Sequence, residues 1–191
     1  MRVKFYFGDY VYRQSKASED GVNFYVEHHF GSDLKGIGNT CLVLIPEDNP
    51  YADLCKSFAY GYVRLVEERL KIPPHNDTGV MRIKSTDRGG SSICRVEAPA
   101  ALVEPLYISN LRHCKKLMNG GIQALAEILA ECLKTTLCKV EDPLIGFSVG
   151  HKYKRSAPYD RGAHMWGKPE FSEADLSEMI LWEAKRLLLE E

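Results

Sequence analysis

Leu144-Ile-Gly-Phe-Ser-Val-Gly-His151 decides the fold: six uncharged residues run into a glycine and then an imidazole. A run this short, bounded by turn residues, reads as a strand covered on both faces. Cys41-Leu-Val-Leu-Ile45, closed by Pro46, and Ala100-Ala-Leu-Val103 are of the same kind. Working outward, Val22 to His29 is rich in aromatic and β-branched residues, Val3 to Phe7 is a shorter β-rich run, and a short strand is placed around Met81 to Ile83. Helical stripes alternate with these runs. Tyr12 to Glu19 stops at Gly21, and Tyr51 to Leu70, with Leu54, Phe58, Tyr62, Leu65 and Val66 on one stripe, is stopped by Pro73-Pro74. Asn110 to Met118 and Ile122 to Leu133 follow, and Ser172 caps a last helix with Leu176, Ile180, Ala184 and Leu187 on one face. Residues 75–90 and 151–171 read as polar loops. Strands alternating with helices predict an α/β fold in three layers, a mostly parallel sheet with helices on both faces.

The chain has 191 residues, enough for one domain with a full core, and its 45% hydrophobic and 27% charged content is a normal globular balance. A formal net charge of -1 supplies no basic field, so no nucleic-acid partner is expected. No apolar run reaches the roughly 18 residues of a membrane span. The opening Met-Arg-Val-Lys-Phe-Tyr-Phe is too short for a signal-peptide core, so the chain is expected in the cytosol unless another route exports it, and as a monomer. Six cysteines without a CxxC pair argue against a thiolate metal site and for free, mostly buried thiols.

Reactive groups in such sheets gather beyond the carboxyl ends of the strands. Three strands end in ionisable groups: Glu27-His28-His29, Glu104 and Gly150-His151; a fourth candidate, Glu173, opens the last helix. Two histidines and a carboxylate make a three-ligand zinc site with an open position for water, and Glu104 is a base for that water's proton. Each signal alone has a plainer meaning. A carboxylate in a first helical turn answers the helix dipole, and a lone histidine at a strand end is commonly structural or exposed. Alternation sends Glu27 and His29 to one face and His28 to the other without deciding between the histidines. His75, His113 and His164 are read as solvated, and Phe58, Tyr60 and Tyr62 as helix packing. Arg88 is a candidate to meet a substrate carboxylate.

At these residues the chain resembles the zinc-dependent N-acetylmuramoyl-L-alanine amidases of the amidase-3 type. Gly150-His151 is similar to the family's strand running into Gly-His, Asp160-Arg-Gly-Ala163 to its Asp-x-Gly-Ala loop, and Ser172-Glu173-Ala-Asp-Leu176 to the glutamate that opens the next helix. Tyr25-Val-Glu-His-His-Phe-Gly-Ser32 is similar to its Ser-x-His-x-Asn strand and aligns His29 with the ligand. Pro99-Ala-Ala-Leu-Val-Glu104-Pro-Leu-Tyr-Ile-Ser-Asn110 is similar to its Val-Glu-Pro segment followed by Ser-Asn. The resemblance implies zinc held by His29, His151 and Glu173, with Glu104 as general base. It also implies peptidoglycan as partner and hydrolysis of the amide between N-acetylmuramic acid and L-alanine.

Two departures stand out. Glu27 replaces a small serine and Gly31 an asparagine; Glu27 is read as solvated, a supporting role beside the ligand being the other reading. The order of segments also differs, since the Gly-His strand and glutamate helix come last here. Residues 1–134 correspond to the family's later part and 144–191 to its first strand and helix, with 135–143 as linker. The order is that of a circular permutation, or of a piece read across a junction of two copies. An alternative function is a non-catalytic wall-binding or regulatory module with a degenerate site. A third reading, a metal-free doubly wound binding protein, lacks a strand running into GxGxxG.

Overall fold

The structure is a computed structural model that describes residues 1–190. In chain order the elements are β1 (Arg2–Phe5), α1 (Tyr10–Glu19), β2 (Phe24–His28), β3 (Leu42–Pro46), α2 (Ala52–Leu70), β4 (Val80–Ile83), α3 (Gly90–Ile93), β5 (Ala100–Glu104), α4 (Leu111–Lys116), α5 (Ile122–Thr136), β6 (Leu144–Val149), β7 (His164–Met165), β8 (Lys168–Ser172) and α6 (Glu173–Leu189). Six strands form one sheet in the order β1-β6-β2-β5-β3-β4. β1, β6, β2 and β5 run parallel, so residues from the two ends of the chain lie side by side.

β3 runs against β5 and alongside β4. The reversal has a simple cause. Parallel neighbours need a crossover that carries the chain back to the starting edge. Between β2 and β3 there is only a loop, so β3 starts at the edge where β2 ended; α2 then supplies a crossover, and β4 is parallel to β3. The 151–171 segment is also more ordered than its polarity suggests, because β7 and β8 pair as a hairpin.

Strand alternation divides the core. Phe24, Val26, Val103 and Phe147 face Phe58 and Tyr62 of α2, Leu129 of α5 and Leu181 of α6. Tyr25, Ala100 and Leu102 face the opposite way, onto Ala17 of α1 and Ile93 of α3. Helices therefore cover both faces, as expected. α6 starts on a reciprocal cap: the Ser172 hydroxyl accepts from the Asp175 backbone N–H, and the Asp175 carboxylate accepts from Ser172. α5 continues to Thr136, which shortens the connection to β6 to residues 137–143. All six thiols are unpaired and four are buried. No helix among the described residues is long and apolar enough to cross a membrane.

His113 is a correction to the sequence reading, since it is 1% exposed rather than solvated. Its Nδ1 accepts from the Tyr107 backbone N–H at 3.0 Å, so Nε2–H donates to Asn39 Oδ1 at 2.8 Å. Burial, reinforced by the nearby Lys116 charge, pushes its pKa down to about 4 from an ordinary 6.5. Between those values the unfolded chain binds the proton and the folded chain does not, so stability falls as pH drops through that window. The contribution is at most about 3 kcal/mol. Urea midpoints measured from pH 7 to pH 4.5 are expected to fall more steeply for the wild type than for His113→Gln; equal slopes would remove His113 as a source.

Candidate metal centre

β2, β5 and β6 end together. His28 pairs in register with both Val103 and Val149, so the next residues, His29, Glu104 and Gly150, share one edge of the sheet. The His29 N–H donates to Val103 O at 2.9 Å, and the Gly150 N–H to His28 O at 3.0 Å. His151 follows at φ 60°, a left-handed turn that ends the strand. Glu173 arrives as the first residue of α6, placed by the Ser172 cap.

His29 Nδ1 lies 2.9 Å from Glu173 Oε1, and His151 Nε2 lies 3.4 Å from the same oxygen. One ligand atom from each of the three side chains falls within 4.8 Å of the other two. The imidazole centroids are 4.9 Å apart at an interplanar angle of 77°. The outer nitrogens are held too: His29 Nε2 is 2.8 Å from Glu27 Oε1, and His151 Nδ1 is 3.0 Å from Asp160 Oδ1. Lys154 pairs with Asp160 in turn. Backbone N–H groups of Phe30 and Ala163 donate to the two Glu173 oxygens at 3.1 and 3.2 Å.

Two glycines make room for this packing. A Cβ on Gly150 would lie 2.4 Å from the His29 ring. Gly162, at φ +70°, would place one 2.5 Å from Glu173 Oε2 and 2.8 Å from His151 Cδ2. Gly31, where the resemblance expects asparagine, has the Tyr107 ring 2.9 Å from its missing Cβ.

The electrostatics follow from burial and pairing. Burial alone would raise the Glu173 pKa, but hydrogen bonds from His151 and His29 override it and hold the carboxyl far below the usual range. Burial would also lower His29, yet hydrogen bonds to Glu173 and Glu27 raise it to about 10. His151 is raised chiefly by its bond to Glu173. His28 is different: it is fully buried against α6, with Nδ1 3.0 Å from Ser177 Oγ, and burial pushes it down to about 3.

Glu104 ends β5 opposite Leu42. It lines a cleft of about 860 Å³ together with His29, His151, Glu173, Arg88 and Tyr107. Burial raises its pKa against the opposing pull of His29 and Arg88. The structure thus brings His29, His151 and Glu173 together and puts Glu104 and Arg88 in the wall of the same cleft, while the competing His28 points away to Ser177. His75, read as solvated, is half-buried in the same wall, whereas His164 is exposed as read. One residue was assigned the wrong environment and another was missed. Glu27, read as solvated, is fully buried, and Arg13 of α1, unremarked in the sequence, is its buried ion-pair partner. The available signal was that Glu27 shares the face of His29 on a strand with no solvent-facing side.

No family model and no curated protein matches the sequence. Among solved structures, the chain is similar to the catalytic domain of CwlV, an N-acetylmuramoyl-L-alanine amidase from Bacillus (Paenibacillus) polymyxa var. colistinus. The TM-score is 0.55 at 15% identity, over 68% of this chain and 66% of that one. It is also similar to the CwlD amidase from Clostridioides difficile, solved in complex with the GerS lipoprotein, with TM-score 0.52 at 15% identity over 67% and 61% of the chains. The shared feature is the fold, a six-stranded, mostly parallel sheet with helices; each match spans less than two thirds of the neighbour's own length.

Proposed function

We propose that the chain is a zinc-dependent N-acetylmuramoyl-L-alanine amidase. The observation that carries this is the convergence of His29 Nδ1 and His151 Nε2 on one oxygen of Glu173, in the wall of a cleft that Glu104 also lines. The donor set fits zinc: two imidazoles and one carboxylate are a usual three-ligand catalytic combination. Each imidazole also has its outer nitrogen held by a carboxylate, the arrangement that orients metal-binding histidines. Bound there, zinc supplies Lewis-acid polarisation of the scissile carbonyl and an acidified water near neutral pH.

The chain's own part is proton transfer and orientation. The water oxygen bonds to the carbonyl carbon of the muramic lactyl group while Glu104 takes a water proton. The C–N bond then breaks, and Glu104 passes that proton to the alanine nitrogen, leaving a carboxylic acid and a free amine. A glutamate whose pKa is raised by burial suits both halves of this exchange. Arg88 lines the same cleft, and its guanidinium is assigned here to a stem-peptide carboxylate.

The segment order supports a circularly permuted domain, because β6 and α6, late in the chain, complete a site begun by β2 and β5. The Glu27 and Gly31 departures do not argue for a degenerate site, since the three donor groups remain in place.

The test joins two measurements: zinc per chain by elemental analysis, and new alanine N-termini released from purified peptidoglycan. One zinc with alanine release is expected. Zinc without release would leave a binding module, and a protein that binds no zinc would end the proposal.

A further inference from the structure

We propose that Arg13 and Glu27 form a buried positioning pair that sets which nitrogen of His29 faces the metal centre and joins the two strand ends bearing its histidines. The inference rests on the zinc reading above.

A carboxylate and a guanidinium withdrawn this far from water need a reason, because desolvation opposes both charges. Glu27 is 0% exposed and Arg13 is 1% exposed. Glu27 stands two residues before His29 on β2, so both side chains leave the same face. Its Oε1 accepts from His29 Nε2–H at 2.8 Å. Its Oε2 lies 3.1 Å from Arg13 Nη2, an ion pair whose angle falls outside hydrogen-bond geometry. Arg13 reaches a second strand as well: Nη1 donates to the Val149 carbonyl at 3.0 Å, two residues before His151. The Tyr10 ring lies 4.6 Å from the guanidinium and walls it in. One side chain from α1 therefore touches the site-bearing ends of both β2 and β6.

The consequence is a definite tautomer. With zinc bound, His29 would keep Nε2–H toward Glu27 and offer the lone pair on Nδ1, the atom that faces Glu173. On the other side, Asp160 holds Nδ1 of His151 and leaves Nε2. The two imidazoles thus meet the centre through different nitrogens. A serine at position 27, the residue the resemblance expects, is too short to bond His29 and meet Arg13 together. Replacing it with glutamate adds a carboxylate clamp that belongs to this chain.

The first test is made on the wild type loaded with zinc. Long-range ¹⁵N–¹H spectra of the imidazoles are expected to show His29 as the Nε2–H tautomer and His151 as the Nδ1–H tautomer. A His29 Nδ1–H tautomer overturns the proposal. The second test uses paired substitutions that leave no buried charge alone. Arg13→Met/Glu27→Leu is expected to bind zinc 10- to 100-fold more weakly in chelator competition. Its cobalt-substituted absorption spectrum should also be altered. Arg13→Met/Glu27→Gln, whose amide oxygen still accepts from His29, is expected to recover affinity to within a few-fold. Wild-type affinity and spectrum in the leucine variant would reduce the pair to a structural role and overturn the inference while leaving the zinc reading intact. A wild type that binds neither zinc nor cobalt would end both.

Discussion

Glu104→Gln is expected to lower the release of alanine N-termini from peptidoglycan by about 10²- to 10⁴-fold, the range for loss of a general base, with zinc content unchanged. Glutamine keeps the volume and one acceptor oxygen, so the end of β5 and its pairing with Leu42 are preserved. What it loses is the ability to take a proton and return it. Glu104 is separate from the trio of His29, His151 and Glu173, and its burial already works against its charged form. Neutralising it therefore removes chemistry without removing a donor. Initial rates on purified wall, with elemental analysis on the same preparation, check both halves. A Glu104→Gln protein that clears wall at the wild-type rate would move the base elsewhere. One that has lost its zinc would place Glu104 among the ligands.

Two parts of this site were legible in sequence because they interrupt an apolar run. Gly150-His151 and Glu104-Pro105 stand out because continuous apolar strands stop there, and the strand-end rule then places them on one edge. Glu173 was legible through Ser172, a helix cap that holds in the structure. The order β1-β6-β2-β5 was not written in any local pattern, since pairing between the first and last thirds of the chain is a tertiary fact. β3 was legible as a strand, but its reversal depended on the absence of a crossover after β2, which composition does not announce. Glu27 and Arg13 were hidden for a different reason. Each reads as a surface charge by residue type, and only their mutual burial, with His29 Nε2 on one side and Val149 O on the other, makes them interior groups. His113 shows the same effect on a smaller scale, because two neutral hydrogen bonds make an interior position tolerable.

Glu173→Gln tests the trio directly, and its expected effect on metal binding exceeds that of any outer partner. Losing a carboxylate that merely orients a ligand costs about 10- to 100-fold in affinity; losing the one carboxylate among three donors removes the negative charge as well. The geometry sharpens the expectation. Glu173 Oε1 receives His29, His151 and the Phe30 N–H, while Oε2 receives the Ala163 N–H. Glutamine has one oxygen for these two directions. Its amide N–H₂ must point at the Phe30 backbone N–H or at the Ala163 backbone N–H, and either choice sets donor against donor. Zinc affinity by chelator competition is therefore expected to fall by well over 100-fold, and hydrolysis with it. The Ser172–Asp175 cap lies outside the change, so helix content should stay at the wild-type level. Glu170→Gln, on the neighbouring exposed strand, is the matched control and should alter neither quantity. If Glu173→Gln kept wild-type affinity, the pull of two imidazoles on that carboxylate would be an ordinary buried ion cluster, and the histidines would have to find their cation without it.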